Sequence, residues 1–163
     1  MATLASHQHG KGKVRVARVW RDGDTHTFVE WSVNTVLESD MEHAFLTDRN
    51  EGMTATDTQK NTVYYVAKNL PPHSAPEDFA IALAKHFVDT YPLVSKAKIW
   101  VEQKNWERHQ SNGVPHQHAY EASGSGMRTA YASYSSTGVT TIHGGVSGWR
   151  VLKTTQSGYA GIT

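Results

Sequence analysis

The feature that most constrains this chain is a strict alternation between Phe28 and Leu37. Val29, Trp31, Val33, Thr35 and Leu37 fall on one side, and Phe28, Glu30, Ser32 and Asn34 on the other. A period of two over that length fits a half-buried strand and nothing helical. Val14, Val16 and Val19 precede it, and Asp22-Gly23-Asp24 stands between the two runs as a turn signal, so residues 13–37 read as an antiparallel hairpin.

The pattern then changes period. Residues 41–53 are mixed and polar and read as an irregular excursion. Thr56-Asp57-Thr58-Gln59 has the form of a capping box, and Val63, Tyr64, Val66 and Ala67 follow at helical spacing, which predicts a helix from about Asp57 to Lys68. Ser74-Ala75-Pro76-Glu77 is a second box, and Phe79, Leu83, Phe87 and Tyr91 recur every fourth residue up to Pro92, which marks a second helix. Ala97, Ile99 and Val101 alternate with Lys98, Trp100 and Glu102 in a strand expected to reach about Arg108, before a turn at Ser111-Asn112-Gly113. Further strands are expected over His116–Glu121, Arg128–Tyr134, Val139–His143 and Trp149–Thr155. A hairpin, two helices and then several strands make an α+β fold, an antiparallel sheet with both helices on one face. Its open edges call for a partner, and homo-oligomerisation is the simplest cover.

With 163 residues the chain suits one compact domain over residues 11–163, behind an N-terminal arm over 1–10 expected to be flexible. Sixteen basic against fifteen acidic residues leave a net charge of +1, too little field for nucleic acid. No apolar run reaches the roughly 20 residues that span a bilayer, so no membrane association is expected. The absence of cysteine removes disulfides, thiolate metal sites and thiol nucleophiles. No secretory signal is visible in the first ten residues.

Four stretches have side chains that could carry chemistry. Residues 54–62 place hydroxyls, the Asp57 carboxylate and unpaired N–H groups at a helix start, where anions and electron-rich carbonyls bind; the plain alternative is an ordinary cap with Lys60 solvated. Lys11, in Gly10-Lys11-Gly12-Lys13, could approach a pocket closely between glycines and serve as a base when desolvated, or be a solvated surface charge. His116 and His118 share a strand face and could hold a metal, but two ligands are not a site, so no metal is expected and a partly buried or interfacial pair is the simpler reading. Trp100 and Trp106 among Lys98, Lys104 and Arg108 suggest base stacking or, more simply, core tryptophans of an amphipathic strand. Glycine-rich phosphate loops, nucleophile elbows and paired-histidine zinc helices are absent from the sequence.

Several blocks together carry a resemblance. They are Gly10-Lys11, residues 14–20, residues 55–64, Glu77-Asp78-Phe79 with Lys85-His86-Phe87, Trp106-Glu107-Arg108, residues 115–118 and residues 151–158. In this order the chain resembles urate oxidase (uricase), most closely the plant type, and its N-terminal part. The resemblance implies a tunnelling fold whose domains associate into a barrel. It also implies oxidation of urate by O2 to 5-hydroxyisourate and H2O2 without metal or organic cofactor, in peroxisomal homotetramers with sites between subunits.

By the same resemblance Lys11 and Thr56 belong to a Lys–Thr–His proton relay, the Asp57 N–H and Thr56 bind the purine, and Tyr159 stands where the family has a stacking phenylalanine. Family chains carry two such domains in tandem, and the relay histidine and the arginine, glutamine and asparagine around urate belong to sequence beyond this chain. A C-terminal peroxisomal signal is also not seen here; the chain ends Gly161-Ile162-Thr163. The alternative readings are a non-catalytic, truncated tunnelling-fold protein that oligomerises or binds a purine, and a single-domain relative acting on pterins or other purines.

Overall fold

The computed structural model describes residues 4–156 and Gly158. Five strands form one antiparallel sheet in the order β1-β2-β3-β6-β7: β1 (His9–Asp22), β2 (Thr25–Ser39), β3 (Val94–Gln103), β6 (Met127–Ser135) and β7 (Thr140–Ser147). A separate ribbon pairs β4 (Trp106–Ser111) with β5 (Val114–Ala122). Three helices, α1 (Glu42–Thr47), α2 (Thr56–Asn69) and α3 (Pro76–Thr90), lie between β2 and β3 in sequence. Among the described residues no helix is long and apolar enough to cross a membrane.

The hairpin forms where the alternation requires it. Asp22 pairs with Thr25 across Gly23, whose φ of 57° supplies the left-handed conformation that a two-residue loop needs. Trp31, Val33 and Leu37 are fully buried against the helices, together with Ala97, Ile99 and Val101 of β3 and Ala132 of β6. From α3, Phe79, Leu83 and Phe87 fill the same layer, with Ala80 and Ala84 letting the helix approach the sheet. The Trp31 and Phe79 rings meet at 4.8 Å. The α+β expectation, helices on one face of an antiparallel sheet, is met.

Several expectations need correction. β1 begins at His9, so the last two residues of the arm expected over 1–10 are strand. The excursion over 41–53 contains helix α1, and Phe45 on it stacks on His7 at 5.0 Å; a six-residue helix held by a contact 38 residues away leaves little local signal. Both capping boxes are displaced by one residue. Helix α2 starts at Thr56 with Ala55 as its cap residue and no side-chain cap. In α3 the cap residue is Ala75, whose N–H donates to Asp78 at 2.9 Å, while the Ser74 hydroxyl donates to Pro71. The strand expected to reach Arg108 stops at Gln103, because Asn105 turns the chain into the second sheet by donating to the Gly126 carbonyl at 2.8 Å and accepting from the Ser123 N–H at 3.1 Å. Trp100 lies on the open sheet face beside Tyr131, 5.0 Å away, rather than in the core. Trp149–Thr155 forms no strand: it follows β7, the outer strand of the sheet, and has no ladder partner among the described residues.

Candidate active site

Lys11 sits at an irregularity in β1. Its residue pairs with Thr35, after which the register shifts until Val14, and Lys13 takes a left-handed φ of 55°. A bulge of this kind re-aims side chains locally. Lys11 is half-buried, and a cleft of about 350 Å³ lies here between Gln8–Gly12 and Asn34–Val36. Gly10 has a plain steric reason. A Cβ there would sit on the Thr35 carbonyl oxygen, 3.0 Å from the carbonyl carbon and 3.1 Å from Val36 Cα. The glycine thus answers a close approach of two strands, and it also lines the cleft beside Lys11.

The start of α2 faces this bulge. The first helical hydrogen bond runs from the Gln59 N–H to the Ala55 carbonyl at 2.9 Å, so the N–H groups of Thr56, Asp57 and Thr58 precede the internal ladder. The Ala55 side chain cannot cap them, and Thr56 and Asp57 are exposed. The donors and the positive end of the helix dipole are therefore open to an anion or a carbonyl. Lys60 donates to the Asp57 carboxylate at 2.6 Å. That hydrogen bond, with the charges of Lys60 and then Lys11, holds the Asp57 carboxyl below the usual range, and the same partner raises Lys60. Lys11 is thus close enough for its charge to be felt at the first turn of α2.

A buried connection between these two elements escaped the sequence reading. Gln59 is fully buried; its Oε1 accepts from the Thr35 hydroxyl at 2.7 Å and its Nε2 donates to the Thr54 carbonyl at 3.2 Å. The same hydroxyl accepts from the Lys11 N–H at 3.2 Å. The sequence signal lies in both residues: Thr35 is a polar residue on the apolar side of β2, and Gln59 stands at the far end of a capping-box pattern.

The other stretches lie elsewhere. His116 and His118 belong to β5 and meet at 4.5 Å, with His26 5.6 Å from His118 at the opposite end of the hairpin from Lys11. His116 Nδ1 accepts from the N–H groups of His118 and Ala119 at 3.2 and 3.1 Å, which commits that nitrogen to the backbone of its own strand. No group of three or more metal-ligating side chains gathers among the described residues. Arg108 organises this end, donating to the carbonyls of His116, Gln117 and His26 at 2.9, 2.6 and 2.7 Å. A larger open cleft of about 800 Å³ lies by residues 4–8 and Glu38–Glu42, but neither Lys11 nor α2 lines it. Tyr159 lies outside the described residues.

Comparison with known proteins places these features in context. A family model described as Uricase matches residues 7–133. Uricase-2 of Phaseolus vulgaris is 46% identical over 153 residues, covering 93% of this chain and 49% of the relative. Uricase of Arabidopsis thaliana is 43% identical over 155 residues, 93% of this chain and 50% of the relative. The crystal structure of the uricase from Arthrobacter globiformis superposes with a TM-score of 0.84 at 33% identity, covering 94% of this chain and 51% of that one. The chain spans about half the length of the curated relatives it matches.

Proposed function

The chain belongs to the uricase family, and from that premise we propose that it supplies one part of a urate oxidase active site. The observation that carries the proposal is the uncapped start of α2, with Thr56 and Asp57 at its first turn and Lys11 on the facing bulge. In this reading residues 11–163 are the first of two tandem tunnelling-fold domains.

Urate is electron-rich once deprotonated, so the protein need only bind it, take its proton and hold it against O2. Urate loses two electrons, O2 gains them and leaves as H2O2, and water supplies the new hydroxyl of 5-hydroxyisourate. The Asp57 N–H suits a carbonyl or ring nitrogen at the purine edge, because it points out of the helix end with no internal acceptor. Lys11 and the Thr56 hydroxyl form the proton path with a histidine from outside this chain. Tyr159 supplies a flat ring to stack on the purine.

The proposed assembly is a peroxisomal homotetramer with shared sites. The sheet supports association: β7 is an outer strand without lysine or proline, and Ile142, Val146, Trp149, Val151 and Leu152 are exposed on it and just after it.

The test follows loss of urate absorbance and appearance of peroxide, with a chelator present, for this chain and for a version completed by the C-terminal domain of a plant uricase. Equimolar urate loss and peroxide gain are expected in the completed protein. Lys11→Ala should lower kcat there by about a hundredfold, with much less change in urate affinity. A completed protein that leaves urate untouched refutes the function, and a Lys11→Ala variant with parental kcat removes Lys11 from the proton path.

A further inference from the structure

We infer that Gln59 and Thr35 are positioning residues that fix the Lys11 bulge against the first turn of α2; this rests on the proposed role of Lys11 and Thr56. The hydrogen bonds close a ring. Lys11 N–H donates to Thr35 Oγ1 at 3.2 Å, Thr35 Oγ1 donates to Gln59 Oε1 at 2.7 Å, and Gln59 Nε2 donates to the Thr54 carbonyl at 3.2 Å. His9 Nε2 reaches the same carbonyl at 2.9 Å, and since a carbonyl only accepts, this nitrogen carries the proton. His9 lies two residues before Lys11, and Thr54 two residues before Thr56. The ring therefore spans β1, β2 and the entry to α2, with Lys11 a member through its backbone N–H and Thr56 two residues beyond it.

Its setting makes it rigid. Gln59 is 0% and Thr35 1% exposed, beside fully buried Val33, Leu37 and Val63. The Thr35 hydroxyl has one proton; Gln59 at 2.7 Å takes it in preference to the Lys11 carbonyl at 3.4 Å. Each buried polar group has a partner, so rotating any one of them strands another. Apolar side chains of the same size would fill this volume without any desolvation. What a hydrogen-bonded ring adds over an apolar contact is a fixed distance and direction between two backbones, and a proton path between Lys11 and Thr56 depends on such a geometry.

Gln59→Met, Thr35→Val and the double variant test this in the completed, urate-oxidising protein. Each single change leaves a buried polar group unpaired and lowers both melting temperature and kcat. The double change removes the Thr35–Gln59 pair from both ends at nearly constant volume; the Thr54 carbonyl keeps His9 and only the part-buried Lys11 N–H loses its acceptor, so the melting temperature should recover most of what the single changes lose. Positioning is read from what stays lost: kcat remains about tenfold below the parent while KM changes less than about threefold. If kcat returns together with the melting temperature, the ring is packing only and the inference is overturned.

Amide exchange at Lys11 separates this from failure of the catalytic reading. Gln59→Met frees the Thr35 hydroxyl and should speed Lys11 exchange about tenfold, whether or not urate is consumed. Unchanged exchange overturns the coupling. Faster exchange in Gln59→Met than in a completed parent that does not itself oxidise urate upholds the coupling and refutes the function assigned to the site.

Discussion

Replacing Gly10 by alanine would disturb the site without touching any reactive group. The added Cβ would overlap the Thr35 carbonyl oxygen, about an ångström inside normal contact, and lie within 3.1 Å of two more backbone atoms, none of which can swing aside. Relief requires β1 to move outward by about an ångström, since ordinary carbon–oxygen contacts lie beyond 3 Å. The bonds at risk are Lys11 N–H to Thr35 and His9 to the Thr54 carbonyl, together with the adjoining ladder of β1 and β2. At roughly 1 kcal/mol each, and two to four of them, the expected loss is about 2–4 kcal/mol. Urea unfolding followed by the fluorescence of the five tryptophans measures it. Gly12→Ala is the matched control: its Cβ would meet only the Asn34 side-chain oxygen at 3.4 Å, so stability should stay within about 0.5 kcal/mol of the parent. Turnover in the completed protein should fall for Gly10→Ala and persist for Gly12→Ala. The reasoning is refuted by a Gly10→Ala protein as stable as the parent, or by equal losses in both variants.

Two further predictions concern the frame around the site. Glu30, only 12% exposed, accepts from Lys104 at 2.9 Å and Arg15 at 3.4 Å, and the Lys104 hydrogen bond above all holds its carboxyl below the usual range. A depressed folded pKa contributes stability that is fully present above the unfolded value and is lost as pH falls through the folded one. Glu30→Gln should therefore cost about 1 kcal/mol at pH 7, and the gap to the parent should close toward pH 3 in urea titrations; a gap that widens on acidification contradicts this. Arg108→Ala removes three guanidinium-to-carbonyl bonds and the contact with the Tyr120 hydroxyl at 2.9 Å. It should release the β4–β5 ribbon to limited proteolysis while the Lys11 amide keeps its protection, and an uncleaved ribbon would show that Arg108 is not its anchor.

What the sequence disclosed depended on how far each pattern carried its own evidence. Residues 28–37 and the spacing of Phe79, Leu83 and Phe87 repeat their signal several times, and both elements form there with the buried side as read. Where a segment's state was decided by a distant partner, local pattern misled. Helix α1 depends on His7, β3 ends because Asn105 finds Gly126, and residues 149–155 have strand-forming side chains but no ladder to join among the described residues. In the site, the spacing around Lys11 and Thr56 fits a surface lysine and an ordinary helix cap equally well, and only the collinear set of family blocks distinguishes them. The Gln59–Thr35 ring joins residues 24 apart, and only the structure shows why both are polar.

The one-residue displacement at the start of α2 has a functional consequence. Had Thr56 been the cap, its hydroxyl would have satisfied one of the helix's free N–H groups; with Ala55 there, Thr56 is the first helical residue and the donors stay free. An alanine at this position forgoes about 1 kcal/mol relative to serine. Ala55 has φ −54° and ψ 150°, an extended conformation in which a serine hydroxyl can reach the N–H two or three residues on. Ala55→Ser should therefore stabilise the protein by about 0.5–1 kcal/mol and, by occupying the Asp57 or Thr58 N–H, weaken urate binding several-fold. Thermal unfolding, and equilibrium dialysis of urate against the completed protein with O2 excluded so that no turnover occurs, measure the two effects. Opposite signs are the signature of a helix end left bare for a ligand. A stabilised variant that binds urate as well as the parent would mean that the purine does not use these amides, and the assignment of Asp57 would fall with it.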